Sequence, residues 1–469
     1  MRASLLSALC LGAAISTGGA QVAPRAKAPA TAQRCTVLDF PNTPDITRAF
    51  AVQDPTTGEY NTFLGGGVVA KCRGQDVTIT ADSAESYGSQ RVHYLIGNVH
   101  YREPRVSIDA ERVTYFQTEE RLLAETAVQA RMPDGSTMTG PRAEYFRAVP
   151  PIRSVSRLVA PNRPVFLLVQ KDSASQKPKP TTLTGDHVTV EGDSLYYAGG
   201  GVTITNEDVL ARGDSAFMDE GTEMARLMRG PSIQSRGERP FSLTGIVIDL
   251  FSKDRQLQRV ISKDSAIVIS QDLKLRSDTI DLRVNANKLD RAYAWGPMRA
   301  HASSPDREIF ADSIDILMPG QQIRELHALR DAYAETAPDS AKMVSVERDW
   351  VRGDTLVALF DSIAPGATAD TSTRNRIRQI VATGEARSFY QIPSSKGKAE
   401  RPSINYVRGR LITVSLDSGT VERVTVLDSA AGVYLEPVSD STAARKDSQR
   451  KSPTSRSPRA PARIPIRRP

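Results

Sequence analysis

Apolar and polar residues alternate with period two through most of the chain, in runs rich in Val, Ile, Thr, Tyr and Leu such as VTITADSAES (77–86), VSIDAERVTYF (106–116) and FSLTGIVIDLF (241–251). Successive side chains on a strand point to opposite faces, so this pattern predicts half-buried β-strands. Ten such segments share one form: apolar, variable, small, usually acidic, variable, then apolar–variable–apolar. The small position holds Ala81, Ala110, Gly140, Gly185, Gly213, Gly245, Ser277, Ala311, Gly353 and Gly409. An acid follows in seven of them, at Asp82, Glu111, Asp186, Asp214, Asp278, Asp312 and Asp354; the exceptions are Pro141, Ile246 and Arg410.

The parity of the alternation breaks at each small residue. Upstream, the inward residue lies two before it: Ile79, Ile108, Met138, Leu183, Leu243, Leu275 and Ile309 are examples. Downstream, inward residues fall three and five after it, as at Val113 and Tyr115, Val188, Ile248, Ile280 and Ile314. One residue is thus inserted between two strand halves, which is what a bulge or corner does. A polar turn and a return strand follow each bent strand, as in RVHYLIGNVHYR (91–102) and QLQRVISKDSAIVIS (256–270). Stacking about ten such strand-pair repeats, each about 30 residues, gives two facing sheets with one apolar lining. At ~4.8 Å between strands the stack extends on the order of 100 Å.

The stretches FLGGGVVAK (63–71) and LYYAGGGVTIT (195–205) invite a phosphate-loop reading, because glycine backbones can cradle anions. No Gly-Lys-Ser/Thr follows either one, and no helical period opens after them. A glycine recurs in the same slot, two residues before an apolar position, at Gly66, Gly97, Gly200, Gly296 and Gly384. These glycines mark a kink. His93, His100, His187, His301 and His327 form no ligand-spaced pair, so no metal site is expected. The acids recur at one corner per unit rather than as a facing catalytic pair. No cofactor and no enzymatic activity are expected; a solenoid polysaccharide lyase or hydrolase is the enzymatic alternative.

The N-terminus carries Arg2, an apolar run from Leu5 to Ile15 and small residues before Ala20. It predicts a secretory signal over 1–20. After cleavage Cys35 and Cys72 remain, and in an oxidising compartment they are expected to form a structural disulfide. The formal charge of +7 is misleading, because the Pro/Arg/Ser-rich tail from Ala444 alone carries +8 and leaves the rest near −1. Nucleic acid is therefore not an expected partner. The basic tail, residues 437–469, reads as disordered, and serves either as a tether to anionic surfaces or as a solubilising segment.

The stretch IGNVHYREPRVSIDAERVTYFQTEERLLAETAVQARMPDGSTMTGPRAEYFR (96–147) resembles the OstA-like family of periplasmic lipopolysaccharide-transport proteins, with weaker copies continuing to about Leu435. That resemblance implies an all-β, elongated, twisted β-jellyroll, a V-shaped two-sheet solenoid, in the periplasm and in association with the outer membrane. It implies an apolar groove that shields the acyl chains of lipopolysaccharide or another amphipathic lipid, and edge strands that stack on copies of the chain or on other jellyrolls of the envelope. The inward residues named above, with Tyr145, are then groove candidates. Expected organisation is a signal peptide (1–20), a partly extended N-terminal segment stapled by the disulfide (21–59), a first jellyroll part (60–160), further repeats (181–436) and the tail. The competing reading is a structural or adhesive envelope solenoid with a dry interior.

Overall fold

The computed structural model describes residues 33–171, 178–236, 240–253, 256–271, 273–286, 288–361, 376–395, 397, 400–417 and 420–437. The signal segment 1–20, most of the loops at 170–180 and 363–375, and all of the tail after Glu436 and Pro437 lie outside the described residues. What is described is all-β: 28 strands in one hydrogen-bonded sheet, with a single 3₁₀ turn at Pro319–Gln321.

The first strands are β1 (Leu38–Asp39), β2 (Arg48–Gln53), β3 (Tyr60–Cys72), β4 (Thr78–Tyr87), β5 (Val92–Glu103), β6 (Val106–Phe116), β7 (Arg121–Arg131) and β8 (Thr137–Phe146). Then follow β9 (Arg157–Pro161), β10 (Val165–Lys171), β11 (Pro178–Thr184), β12 (His187–Glu191), β13 (Leu195–Thr205), β14 (Val209–Asp219), β15 (Met224–Met228) and β16 (Ser232–Ser235). The second half holds β17 (Phe241–Thr244), β18 (Val247–Lys253), β19 (Gln256–Ser270), β20 (Leu273–Asn285), β21 (Lys288–Ser303) and β22 (Arg307–Leu317). It ends with β23 (Glu325–Thr336), β24 (Asp349–Phe360), β25 (Ile377–Ile392), β26 (Ser403–Asp417), β27 (Thr420–Leu427) and β28 (Ala431–Leu435).

All pairings are antiparallel and join strands one to three places apart in the chain, so the fold is a meander of bent units. Where long strands pair, the register shifts near the middle: between Thr80 and Ser83 in β4–β5, and between Ile96 and Val99 in β5–β6. Elsewhere a strand is cut at its corner. β11 and β12, for example, pair with the two halves of β13. Each unit therefore contributes one half to each of two sheet limbs. Limb I holds the start of β4 with the ends of β3 and β5; limb II holds the end of β4 with the starts of β3 and β5. β1 and β2 continue the same arrangement on β3, β1 beside Cys72 in limb I and β2 beside Tyr60–Gly65 in limb II.

The corner has a regular backbone cause. Return strands carry two consecutive residues in the left-handed region: Gly97–Asn98, Thr126–Ala127, Gly200–Gly201, Asp264–Ser265, Arg330–Asp331 and Gly384–Glu385. Each pair sits opposite a single corner residue of its neighbour, a two-against-one bulge. The glycine marker in the sequence thus locates real corners, and pairs without glycine occupy the same place. At Gly200 (φ 77°) glycine is demanded twice, because a Cβ there would stand 2.6 Å from Cβ and Cγ of Asp186. The corner acids also bind locally. Asp278 accepts the Met298 N–H at 2.6 Å, and Asp82 accepts Asn98 Nδ2 at 2.9 Å.

One apolar cluster runs between the limbs, from Cys35 and Leu38 to Ile412 and Val414. It draws on both halves of each bent strand, as Ile108 with Val113 and Leu275 with Ile280. Full burial of such side chains contributes ~1.5–3 kcal/mol each, and because strands pair only one to three places apart, stability is approximately a sum over adjacent units.

Candidate functional site

The fourteen groove candidates divide equally between the limbs. Ile79, Ile108, Met138, Leu183, Leu243, Leu275 and Ile309 come from limb I; Val113, Tyr115, Tyr145, Val188, Ile248, Ile280 and Ile314 come from limb II. All are brought together in one interior. Thirteen are buried to 3% exposure or less, and Ile309 packs against the cluster while partly exposed. In this state the candidates fill the interior with one another.

The opening lies at the free tips of the limbs, opposite the corners. A pocket of about 210 Å³ enters there between the β5–β6 and β7–β8 turns of limb I and β9, β12 and β13 of limb II. Val106, Met132, Leu158, Val190 and the rings of Tyr145 and Tyr196 form its walls. Its rim is charged: Arg105 on limb I faces Asp193 on limb II at 3.7 Å. Of the fourteen candidates, Tyr145 alone borders this space. An apolar cavity of roughly 150 Å³ takes up benzene, so the pocket has room for a small apolar group, with the Arg105–Asp193 pair and Asp134 at its lip.

Beside the pocket the mouth is closed by a buried polar cluster. Arg147, 3% exposed, donates from Nε to Glu103 Oε2 at 2.9 Å, from Nη1 to Glu120 Oε2 at 2.6 Å, and from Nη2 to Gln75 Oε1 at 2.9 Å. Gln75 and Glu103 stand at the tip of limb I; Glu120 and Arg147 stand at the tip of limb II. The cluster therefore ties the tips together across the mouth. Three phenols complete it. Tyr101 OH donates to Glu103 at 3.0 Å, Tyr115 OH to Glu120 at 3.0 Å, and Tyr145 OH to Glu103. Burial, and then the neighbouring carboxylate, pushes all three phenols well above their ordinary value, so they remain protonated donors.

The N-terminal segment crosses this cluster. Cys35 is disulfide-bonded to Cys72, with Cα atoms 5.6 Å apart. Its N–H donates to Glu120, and its carbonyl accepts Gln117 Nε2 at 3.0 Å. Gln117 in turn meets His93 at 3.2 Å, and Ser86 meets the other His93 nitrogen at 3.0 Å. Burial holds His93 below its ordinary value, against the opposing contribution of Gln117.

The period-two pattern does not reveal this cluster. The usable signal is Tyr101 and Tyr115 at inward positions, each followed within five residues by its acid, Glu103 or Glu120, whereas the acid that Tyr145 bonds, Glu103, lies 42 positions away. A buried phenol needs a partner, and those acids are what the chain supplies.

No group of three or more His, Cys, Asp or Glu among the described residues is placed to hold a metal ion. No helix among them is long and apolar enough to cross a membrane. Neither the known family models nor the curated proteins include one that matches this chain.

Proposed function

We propose that the chain is an exported, lipid-carrying β-jellyroll of the OstA-like type, a V-shaped two-limbed solenoid that binds or bridges lipopolysaccharide or a similar amphiphile across the periplasm. The observation that carries this reading is the mouth between the limbs. An apolar pocket continuous with a long apolar interior opens there beneath a charged rim containing Arg105. The apolar walls favour an aliphatic chain, and an anionic head reaches Arg105 only in competition with Asp193. With the interior filled, cargo enters by spreading the limb tips. The exposed edge strands β2 and β28, all of whose residues are exposed, offer unpaired backbone for a second copy or another jellyroll.

Photo-crosslinking from Leu158 in the pocket and from Ile108 or Leu243 in the interior, in intact cells, tests the reading. The expected result is a lipid adduct from Leu158 and from at least one interior position. Protein adducts from edge positions such as Val52 or Val433, with no lipid adduct from any of the three, would overturn it. That outcome favours the second reading, a structural or adhesive envelope solenoid. The filled interior is the observation that supports this alternative.

A further inference from the structure

Residues 33–40 are attached to the two limbs in unequal ways. On limb I the attachment is covalent and extended. Besides the Cys35–Cys72 disulfide, β1 pairs with Lys71 and Cys72, Arg73 N–H donates to Val37 O at 3.0 Å, and the Arg73 guanidinium grips Asp39 at 2.6 and 2.9 Å. On limb II three hydrogen bonds hold the segment: Cys35 N–H to Glu120, Gln117 Nε2 to Cys35 O, and Arg34 Nη2 to Thr118 O at 3.1 Å. The disulfide itself is shielded, Cys35 and Cys72 being 1% and 2% exposed. It behaves as a permanent fixture rather than a reducible link.

The segment also fills space. Cys35 and Leu38 belong to the interior cluster, and Phe40 packs on it with its ring 5.9 Å from His93. Three apolar side chains of the segment thus sit between the limb tips at the N-terminal end of the same mouth whose other side is the pocket beside Tyr145. The limb II partners keep part of their bonding, through Glu120 Oε2 and Gln117 Oε1, if the segment leaves. Glu120 retains Arg147 and Tyr115, and Gln117 retains His93. Lifting the segment frees Glu120 Oε1 and Gln117 Nε2, the two atoms that held Cys35, so opening requires water to reach both at the mouth.

We propose that residues 33–40 form a hinged lid, fixed to limb I by the disulfide and clasped to limb II by Glu120, Gln117 and Thr118, whose apolar side chains occupy the N-terminal end of the mouth in place of an aliphatic chain. The lid rests on the carrier reading, because its competitor is the cargo. An amphiphile with a single long chain displaces it by swinging it toward limb I, and the disulfide keeps it in reach for reclosure.

The test uses the full oxidised chain and cis-parinaric acid, a fluorescent long-chain fatty acid. Two clasp variants are compared with the wild type: Glu120→Gln, and the double variant Arg34→Ala/Gln117→Ala, which leaves the Glu120–Arg147 pair intact if the first fails to fold. Hydrogen exchange reads the amides of 35–39 and of β5–β8. The lid predicts at least tenfold faster exchange at 35–39 in the variants, unchanged protection in β5–β8 in the double variant, which keeps the Glu120–Arg147 pair, and about fivefold to tenfold tighter parinaric acid binding. It also predicts that parinaric acid speeds exchange at 35–39 in the wild type. Freely exchanging 35–39 amides with unchanged affinity overturn the lid and leave the carrier reading standing, since the wild type still binds. Failure of all three proteins to bind overturns both.

Discussion

Replacing Arg147 by Met removes the guanidinium that stands between Glu103 and Glu120 while keeping most of its volume. Side-chain exposure at the three positions is 3%, 6% and 0%, so water does not take over the lost contacts. Breaking a buried ion pair from one side costs ~3–5 kcal/mol, because the partner charge stays behind; here two carboxylates stay behind. Changing both to neutral amides in the triple variant Arg147→Met/Glu103→Gln/Glu120→Gln removes the stranded charges, and the Gln carbonyls still accept the phenols. It is expected to lie within ~2 kcal/mol of the wild type. The assay is urea unfolding with two reporters. Near-UV dichroism of Tyr101, Tyr115 and Tyr145 senses the N-terminal third, and fluorescence of Trp295 and Trp350, the two tryptophans of the chain, senses the C-terminal half. With a slope of ~2 kcal/mol/M, the tyrosine midpoint of the single variant falls by roughly 1.5–2.5 M. The tryptophan midpoint moves little, because units contact only their neighbours. A loss below ~1 kcal/mol, the value of an exposed pair, or a triple variant less stable than the single one, refutes the reasoning.

Removing the disulfide as Cys35→Ser/Cys72→Ser opens a loop of sequence separation 37 and costs ~4 kcal/mol by loop entropy; differential denaturation of the two proteins measures it, and a loss under ~1 kcal/mol contradicts the cross-link's role. Gly200→Ala meets Asp186 at a φ of 77°, whereas Gly230→Ala at a φ of 70° meets nothing within 4 Å. The first is expected to cost ~3 kcal/mol and the second ~1 kcal/mol in thermal unfolding, with Asp186→Gly recovering part of the first; equal costs would remove the packing explanation. Because burial lowers the His93 value, the folded chain binds fewer protons than the unfolded one just below the unfolded value of ~6.5. Stability is therefore full above that pH and falls as pH drops below it. The pH–stability curve between 7 and 5 should flatten in His93→Gln, and an unchanged slope assigns the acid sensitivity elsewhere.

The bent-strand architecture was legible because burial repeats: ten copies of one parity break outweigh any local ambiguity. Ile79, Ile108 and Leu243 turn inward where the alternation says they should. Corners lacking glycine, such as Thr126–Ala127 and Arg330–Asp331, escaped notice because nothing in their side chains announces a left-handed backbone. The mouth was not legible either. It forms where Glu103, Glu120 and Arg147 from different turns converge, and a periodicity reads residues along one strand rather than across the gap between two limbs. The same holds for Arg105 and Asp193, 88 positions apart in sequence yet facing each other at the rim.

The meander itself has an evolutionary consequence. From β4 to β7 and from β20 to β25 each strand pairs only with its neighbours in sequence, so a hairpin can be inserted or removed there without rerouting any other part of the chain. Each such change lengthens or shortens the path between the two open edges by two strand spacings, ~10 Å. Reach can therefore be tuned in whole hairpins, while the corner backbone and the interior of the remaining units stay as they are.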